Sequence, residues 1–426
     1  SSTTITYSLT QVNSTYGTNS TNHVTSGSDP LFIDASDPDG ADNVWMTADD
    51  GLNIWNSPAY GVGTATGAPT TDITGATRGS TPSMGAYEGF ARHYIDKDAS
   101  GANNGSSWAN AYTTLQPALN IAVNTGDEVW IAEGTYKPTH LPSTGATSTT
   151  SRDMSFYLDK NIKIYGGFAG TETLLSQRNS TSNPVILSGD IDASGNNDCY
   201  HVFITEGLSS AAVLDGLTIS GGIANGSSSI SYSGQTYDQN KGGGMYNSSS
   251  SPTLTDVTIG GNTATVRAGG IYNSSSSPAL TDVTISENTA DYGGGMYNYS
   301  SSPILTNLTI SGNTATYGGG MYNSSSSPTL TNITISGNTA FANAGGMWNA
   351  YSSSPTIINT IFWGNKKGTS STVAGADIYT SSSSSSTTIT YSLTQVNSTY
   401  GTNSTNHVTS GSDPLFIDAS DPDGAD

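Results

Sequence analysis

Residues 243–349 repeat one phrase and decide the fold. They read GGMYNSSSSPTLTDVTIGGNTATVRA (243–268), GGIYNSSSSPALTDVTISENTADYG (269–293), GGMYNYSSSPILTNLTISGNTATYG (294–318) and GGMYNSSSSPTLTNITISGNTAFANA (319–344), followed by GGMWN (345–349). The prolines Pro252, Pro278, Pro303, Pro328 and Pro355 mark the period, at intervals of 26, 25, 25 and 27 residues. A period in this range indicates a solenoid, because one such unit is too small to bury its apolar face alone.

The composition of one repeat predicts strands and turns. Thr, Val, Ile, Tyr, Gly, Ser and Asn dominate, and the apolar residues do not recur at helical spacing. Val257 and Ile259 alternate with polar residues, and the gap of three back to Leu254 predicts a bend near Thr255–Asp256. With a third strand over Gly244–Asn247, we expect an all-β parallel β-helix of about 25-residue coils, stacked about 4.8 Å apart.

Composition and charge narrow the class of protein. Only 34% of the 426 residues are hydrophobic, which suits the thin apolar column of a solenoid. The net charge of −21, with 12 Lys and Arg, argues against nucleic-acid partners and anionic membrane surfaces. Cys199 is the only cysteine, so no intramolecular disulfide forms, and no apolar run is long enough for membrane insertion in this segment.

A second, longer repeat spans the chain. The first 42 residues, Ser1–Asp42, recur unchanged at Ser385–Asp426, an offset of 384 residues. This pattern predicts tandem modules of about that length, with 1–89 forming the last coils and C-terminal cap of one module. Residues 90–426 would then form the next module, in which 385–426 repeats 1–42. The alternative is an engineered or wrongly assembled duplication.

A short helix is predicted where this second module begins. Leu115, Ala118, Leu119 and Ala122 fall on one face of a helix, with Thr114 as its expected N-cap and Gly126 after its end. A β-helix has an open end whose strand edges need covering. We therefore expect an N-terminal capping helix.

Several phrases together resemble a known group of proteins. They are SSWANAYTTLQPALNIA, EVWIAEGTYKP, IYGGFAGTE, ILSGDID, the GGGMYN coils, IINTIFWGN and DPLFIDASDPDGADN. The order resembles the right-handed parallel β-helix (pectate-lyase-like) modules of giant secreted surface proteins of Bacteroidota. The resemblance implies an extracellular, cell-surface attached, adhesin-like protein, often exported by type IX secretion, and it implies no particular ligand.

An acidic stretch is the candidate metal site. Its carboxylates are Asp34, Asp37, Asp39, Asp42, Asp49 and Asp50, and D-x-D-G-x-D places three of them on one tight turn. Clustered oxygen ligands of this kind suit Ca²⁺, although the EF-hand spacing and its bidentate Glu are missing. A solvated Asp/Gly turn is the alternative. Apart from Ca²⁺, no cofactor is expected.

An aromatic column is the candidate contact surface. Its members are Tyr246, Tyr272, Tyr297, Tyr322 and Trp348, one in each coil. Each follows Met or Ile in a strand, so one of the two neighbours points inward and the other outward. Outward rings would offer a ligand or bundling surface, whereas covered rings would only stabilise the stack. The matching asparagine columns are predicted to be hydrogen-bonded ladders.

The sequence favours a structural and adhesive function without catalysis. We expect one repeat unit of a long filament or surface appendage that attaches to cells or surfaces, with other copies of itself as partners. The alternative is a carbohydrate-binding or carbohydrate-active β-helix, a lyase or hydrolase, with a polysaccharide ligand. Asp190, Asp192 and Asp198 are the best carboxylate cluster for such chemistry, although they also fit turn positions.

Overall fold

The protein is described from a computed structural model. The structure describes residues 59–75, 78, 81–122, 124–142, 144–147, 151–191, 198–232, 234–369, 376–381 and 385–395, together with positions 9–10, 24–25, 32, 54 and 408–409. The chain divides into two compact units. The first comprises Ser1–Arg92 with Asn124–Glu128, and the second comprises His93–Val123 with Val129–Asp426.

The second unit is built from four stacks of parallel strands, which we call sheets 1 to 4. Sheet 1 contains eight strands: Phe156–Leu158, Phe203–Glu206, Met245–Ser248, Ile271–Ser274, Met296–Tyr299, Met321–Ser324, Met347–Ala350 and Ile378–Thr380. Sheet 4 contains six: Ile223–Ala224, Thr263–Ala264, Thr289–Tyr292, Thr314–Tyr317, Thr339–Asn343 and Lys366–Lys367.

Sheets 2 and 3 meet along a bend. Sheet 2 contains Arg92–Ile95, Glu128–Ala132, Lys163–Phe168, Ala279–Thr281, Ile304–Thr306, Thr329–Thr331, Thr356–Ile358 and Thr388–Thr390. Sheet 3 contains Gly134–Tyr136, Val185–Ser188, Thr284–Ser286, Thr309–Ser311, Thr334–Ser336, Ile361–Trp363, Leu393–Thr394 and Val408–Thr409. Two longer strands, Val213–Ser220 and Thr253–Gly260, run through the bend and belong to both.

Equivalent residues of successive coils lie directly opposite one another. Met296 pairs with Met321, Leu305 with Leu330 and Ile310 with Ile335, all in parallel register. This register, one coil per repeat of the sequence, confirms the predicted all-β parallel β-helix solenoid. The sequence predicted three strands per coil, and the structure adds a fourth, in sheet 4.

The predicted bend lies at Asp256, which has a φ of +51°. The same position in the following coils also has positive φ, in Asp282, Asn307, Asn332 and Asn359. Asp and Asn tolerate this left-handed conformation better than other residues with side chains. Their short polar side chains therefore explain how the chain turns from sheet 2 into sheet 3 without glycine.

The interior is a set of apolar columns, one per inward position. Met296 of sheet 1, Leu305 of sheet 2, Ile310 of sheet 3, and Leu308 in the bend between sheets 2 and 3 are buried, as are their equivalents in neighbouring coils. Sheet 4 contributes a narrower column of alanines, Ala264, Ala290, Ala315 and Ala340. Each coil therefore buries its apolar side chains only against the coils before and after it, as expected for a solenoid.

The capping helix spans Gln116–Ile121 and closes the first edge of sheet 1. The predicted apolar face is buried, since Leu115, Ala118, Leu119 and Ala122 are at most 2% exposed. Gln116 holds the edge strand: its Oε1 accepts from the Tyr157 amide at 3.2 Å, and its Nε2 lies 3.5 Å from the Tyr157 carbonyl. The N-cap is Leu115 rather than Thr114, and no side chain caps the helix.

Two further elements accompany the coils of the second unit. An antiparallel hairpin, Ser229–Tyr232 with Gln235–Asp238, follows the first strand of sheet 4, and a 3₁₀ turn spans Leu175–Gln177. Tyr237 of the hairpin is fully buried, and its hydroxyl donates to Glu206 at 2.6 Å. The hairpin therefore covers the outer face of sheet 1 at its first coils.

The first unit repeats one pairing of the second. Leu9–Thr10 pairs in parallel with Val24–Thr25, and the identical residues Leu393–Thr394 pair in the same register with Val408–Thr409. Further along this unit, the Arg78 guanidinium pairs with Glu88 at 2.8 Å, and Asp72 accepts the Glu88 amide at 2.8 Å. A partly buried ion pair and a carboxylate that accepts a backbone amide thus hold together the part of this unit around Glu88.

Candidate functional site

The aromatic column lies on the outer face of sheet 1. In each coil the preceding Met or Ile points into the apolar core, so the aromatic ring points away from it. Successive rings are in contact: the centroid distances from Tyr246 through Tyr272, Tyr297 and Tyr322 to Trp348 are 4.8, 5.7, 4.9 and 5.8 Å. The column is therefore a continuous aromatic stack along the axis of the coils.

These outward rings are nevertheless covered. The four tyrosines are only 3–6% exposed, and Trp348 is half-buried. The role of the column as a contact surface stays a prediction, but the four tyrosine rings contact one another and are almost fully covered. A ligand could therefore reach this surface only through side chains that flank the column.

A flanking column, at the sheet 4 edge of each coil, covers the rings of the next coil. Lys241 lies over the Tyr272 ring at 5.7 Å, and Arg267 lies over Tyr297 at 5.1 Å. Further on, the flanking residues are themselves aromatic: Tyr292 meets Tyr322 edge-on at 5.5 Å, and Tyr317 meets Trp348 at 4.9 Å. Cation–π and edge-to-face contacts thus tie each coil to its successor.

Two tyrosines beside this column remain open to solvent. Tyr299 is 43% exposed and occupies a position held by serine in the coils on either side, Ser274 and Ser324. Tyr351 is 67% exposed and directly follows Met347–Ala350, the sheet 1 strand two coils after that of Tyr299. Burial raises the pKa of Tyr297 and of Tyr322, and the nearby Tyr351 adds to both shifts. Tyr351 therefore lies near Tyr297 and Tyr322.

Arg267 is the charged residue next to the two open tyrosines. It lies 5.1 Å from the Tyr297 ring centroid and 6.0 Å from that of Tyr299, and it hydrogen-bonds Tyr272. Burial lowers its pKa, yet the net direction is upward because the oxygens of Tyr297 and Tyr272 favour the charged form. The guanidinium therefore remains a cation in an aromatic setting.

Two asparagine ladders run through the interior, as predicted. In the first, each side-chain Nδ2 donates to the Oδ1 of the next coil at 2.7–2.9 Å, through Asn247, Asn273, Asn298, Asn323 and Asn349. In the second, Asn262, Asn288, Asn313, Asn338 and Asn365 are joined in the same way at 2.9–3.0 Å. All ten asparagines are fully buried.

The serine runs form ladders that the sequence did not reveal. The Ser276 amide donates to the Ser301 hydroxyl at 2.9 Å, and the Ser301 amide donates to Ser326 at the same distance. The next serine is linked in the opposite direction, with the Ser302 amide donating to Ser277. Ser276, Ser301 and Ser326 are buried, so part of each run belongs to the interior. The periodic recurrence of the runs is the signal that could have revealed them.

The predicted calcium ligands Asp34, Asp37, Asp39, Asp42, Asp49 and Asp50 lie outside the described residues. Within the described ranges, no three His, Cys, Asp or Glu side chains come close enough to hold a metal ion. Of the carboxylates considered for catalysis, Asp190 lies 3.9 Å from Lys137, Asp198 is buried, and Asp192 is outside the described ranges. No helix in the described part is both long and apolar enough to cross a membrane.

Comparison with known proteins adds structural likenesses but no family. The sequence matches no protein-family profile and no curated protein. Among solved structures, the pectate lyase Pel9A is 12% identical, with a TM-score of 0.43 over 75% of this chain and 78% of that chain. A pectin methylesterase from Aspergillus niger is 9% identical, with a TM-score of 0.39 over 75% and 90%. PfbA, a surface adhesin of Streptococcus pneumoniae, is 10% identical, with a TM-score of 0.23 over 69% and 79%.

Proposed function

We propose that this chain is a structural and adhesive repeat unit of a long extracellular filament or surface appendage. The observation that carries the proposal is the axial bonding of the coils. Each coil from residue 243 to 349 is linked to the next by two buried amide ladders, two serine ladders and an aromatic stack, in addition to the backbone bonds. A repeat reinforced along one axis suits a protein that carries load along that axis.

Two features of the sequence support assembly with copies of itself. The unchanged recurrence of Ser1–Asp42 at Ser385–Asp426 is the pattern of a tandem module, and the described parts of both copies have the same strand pairing. Many identical modules in a row present the same weak contact surface many times, which raises avidity without any new contact. Attachment to cells or surfaces then results from many weak contacts that act together.

The rival proposal is a carbohydrate-active β-helix. A lyase or hydrolase needs a carboxylate pair or a base placed across a groove. The open surface on sheet 1 instead combines tyrosines with one arginine, which suits binding better than cleavage. We therefore propose that the chain is not an enzyme.

Electron microscopy of the purified protein tests the filament. We expect regular filaments whose repeat matches the module. Single short monomeric rods at all protein concentrations would contradict the proposal. Incubation with acidic and neutral polysaccharides tests the rival, and release of new reducing or unsaturated ends would favour it.

A further inference from the structure

Arg267, Tyr299 and Tyr351 make an unusual surface on the outer face of sheet 1. Arg267 is the only Lys or Arg between Lys241 and Lys366, in a chain of net charge −21. Among the described residues, its guanidinium has no carboxylate partner, whereas three of the other four arginines, Arg78, Arg92 and Arg178, each pair with an acid. Its neighbour in the flanking column, Lys241, is paired with Asp238, whereas Arg267 is held only by aromatic rings and a tyrosine hydroxyl, an arrangement that the fold itself does not require.

The fold accepts other residues at all three positions. In the flanking column, the Arg267 position is occupied by Tyr292 and Tyr317 in the next two coils. Serine occupies the Tyr299 position in the adjacent coils. Serine, such as Ser325, also occupies the position of Tyr351 in the preceding coils. All three departures from the repeat therefore cluster on one surface.

The spacing of the open tyrosines suits an extended ligand. Tyr299 and Tyr351 belong to coils two apart, so they lie roughly 10 Å from one another along the axis, twice the inter-strand distance. Exposed aromatic rings bind apolar faces and leave their hydroxyls to hydrogen-bond. A guanidinium pairs in a fork with a carboxylate or sulfate.

We propose that Arg267, Tyr299 and Tyr351 bind an anionic polysaccharide along the outer face of sheet 1. Arg267 pairs with an acidic group of the polymer, Tyr299 contacts the sugar ring beside it, and Tyr351 contacts a ring further along the axis. This inference rests on the proposed adhesive function and names the class of its ligand. It requires no cleavage of the polymer.

The large negative charge of the protein is compatible with this ligand at physiological salt. Exposed charges more than about 10 Å apart are largely screened at 0.1 M ionic strength, so the local arginine decides binding there. At much lower salt the remaining carboxylates act over longer distances and repel the polymer. We therefore expect binding to pass through a maximum as salt is raised, rather than to fall throughout.

The test is affinity electrophoresis of the full chain in gels that contain polygalacturonate, dextran sulfate or neutral dextran. We expect retardation by an anionic polymer and none by dextran, with the better anionic polymer distinguishing a uronate from a sulfated ligand. R267Y should weaken binding at least about tenfold, because it removes the charge but keeps the packing that Tyr292 shows. R267K should weaken it less, since it keeps the charge without the fork.

Two further variants separate stacking from folding. Y351S restores the serine of the other coils and should weaken binding about threefold to tenfold, whereas Y391N, at an exposed tyrosine in the bend between sheets 2 and 3, should leave it unchanged. Each variant must melt within a few degrees of the parent protein.

Three results would overturn the inference. They are equal retardation by dextran, R267Y binding within twofold of the parent protein, and self-association without polysaccharide that R267Y abolishes, which would assign the surface to a second copy. Filaments that persist while R267Y binds normally would refute this inference alone. The adhesive proposal fails separately, if microscopy shows only short rods.

Discussion

Truncation of one ladder asparagine gives the sharpest test of how the coils hold together. Asn298 is fully buried; its Oδ1 accepts from Asn273 and its Nδ2 donates to Asn323, both at 2.8 Å. In N298A, the amide of Asn273 and the carbonyl of Asn323 lose these partners in a fully buried site. Leaving a buried polar group unsatisfied costs about 1–3 kcal/mol.

The expected loss follows from these contacts. Two orphaned groups and a small cavity sum to about 4 kcal/mol, which we expect as the decrease in the local free energy of unfolding. The stability of a solenoid is roughly a sum of local terms. The damage should therefore concentrate in the coil that contains Asn298 and in its two neighbours.

An exposed ladder provides the matched control. Asn332 donates to Asn307 at 3.2 Å and accepts from Asn359 at 3.1 Å, but its side chain is exposed at the bend, with φ +58°. N332G removes the same two amide contacts where water can replace them, and glycine accepts the left-handed backbone. We expect a change within about 1 kcal/mol for this variant.

Amide hydrogen exchange and guanidinium unfolding measure both changes. At tenfold per 1.4 kcal/mol, N298A should speed exchange in its own coil by up to about a thousandfold, with little change in distant coils. Equal destabilisation by N298A and N332G would refute the reasoning, because burial would then not decide what an amide contact contributes. An even increase of exchange along the whole chain would refute the local view of the fold.

Three other predictions concern separate parts of the chain. Burial lowers the pKa of His201 from 6.5 to about 4, so the unfolded state binds more protons than the folded state between these pH values. The free energy of unfolding should therefore be highest above pH 6.5 and fall by up to about 3 kcal/mol towards pH 4. Urea midpoints should show this pH dependence in the parent protein and not in H201Q. G294A should cost about 2 kcal/mol or more because a Cβ there meets three backbone carbonyl oxygens within 2.5–2.9 Å, whereas G312N, at an open turn position with φ +63°, should unfold at nearly the parent temperature. Calcium should raise the melting temperature through the acidic stretch, and chelation or the variant D39N/D42N/D423N/D426N, which changes both copies of the turn, should remove that rise. An unchanged melt on chelation would exclude calcium.

The repeat pattern of the sequence predicts how the coils stack, but it does not predict which outward side chains are covered. The inward columns and the bend at Asp256 follow from spacing, because each inward residue meets its own copy in the next coil. Sheet 4 was missed because its inward residue is alanine, as at Ala315, and gives a weak apolar signal. Whether an outward ring is covered depends on a different column one coil away, as where Arg267 covers Tyr297. Spacing within one coil carries no information about such a contact.

The buried ladders give the solenoid a direction. Every side-chain bond of the second ladder runs from an Nδ2 to the Oδ1 of the following coil, so the ladder needs a donor before its first asparagine and an acceptor after its last. It begins where the Gly222 amide donates to Asn262 at 3.0 Å, and it ends where Asn365 donates to the buried Asp377 carboxylate at 3.1 Å. A row of amide dipoles aligned in this way favours a negative charge at the end where its last Nδ2 donates, which is Asn365, as a helix does at its N-terminus. Because the two ends of the ladder need opposite hydrogen-bonding partners, a coil can extend it only in the parallel orientation, and units joined through their coils would share one polarity along a filament.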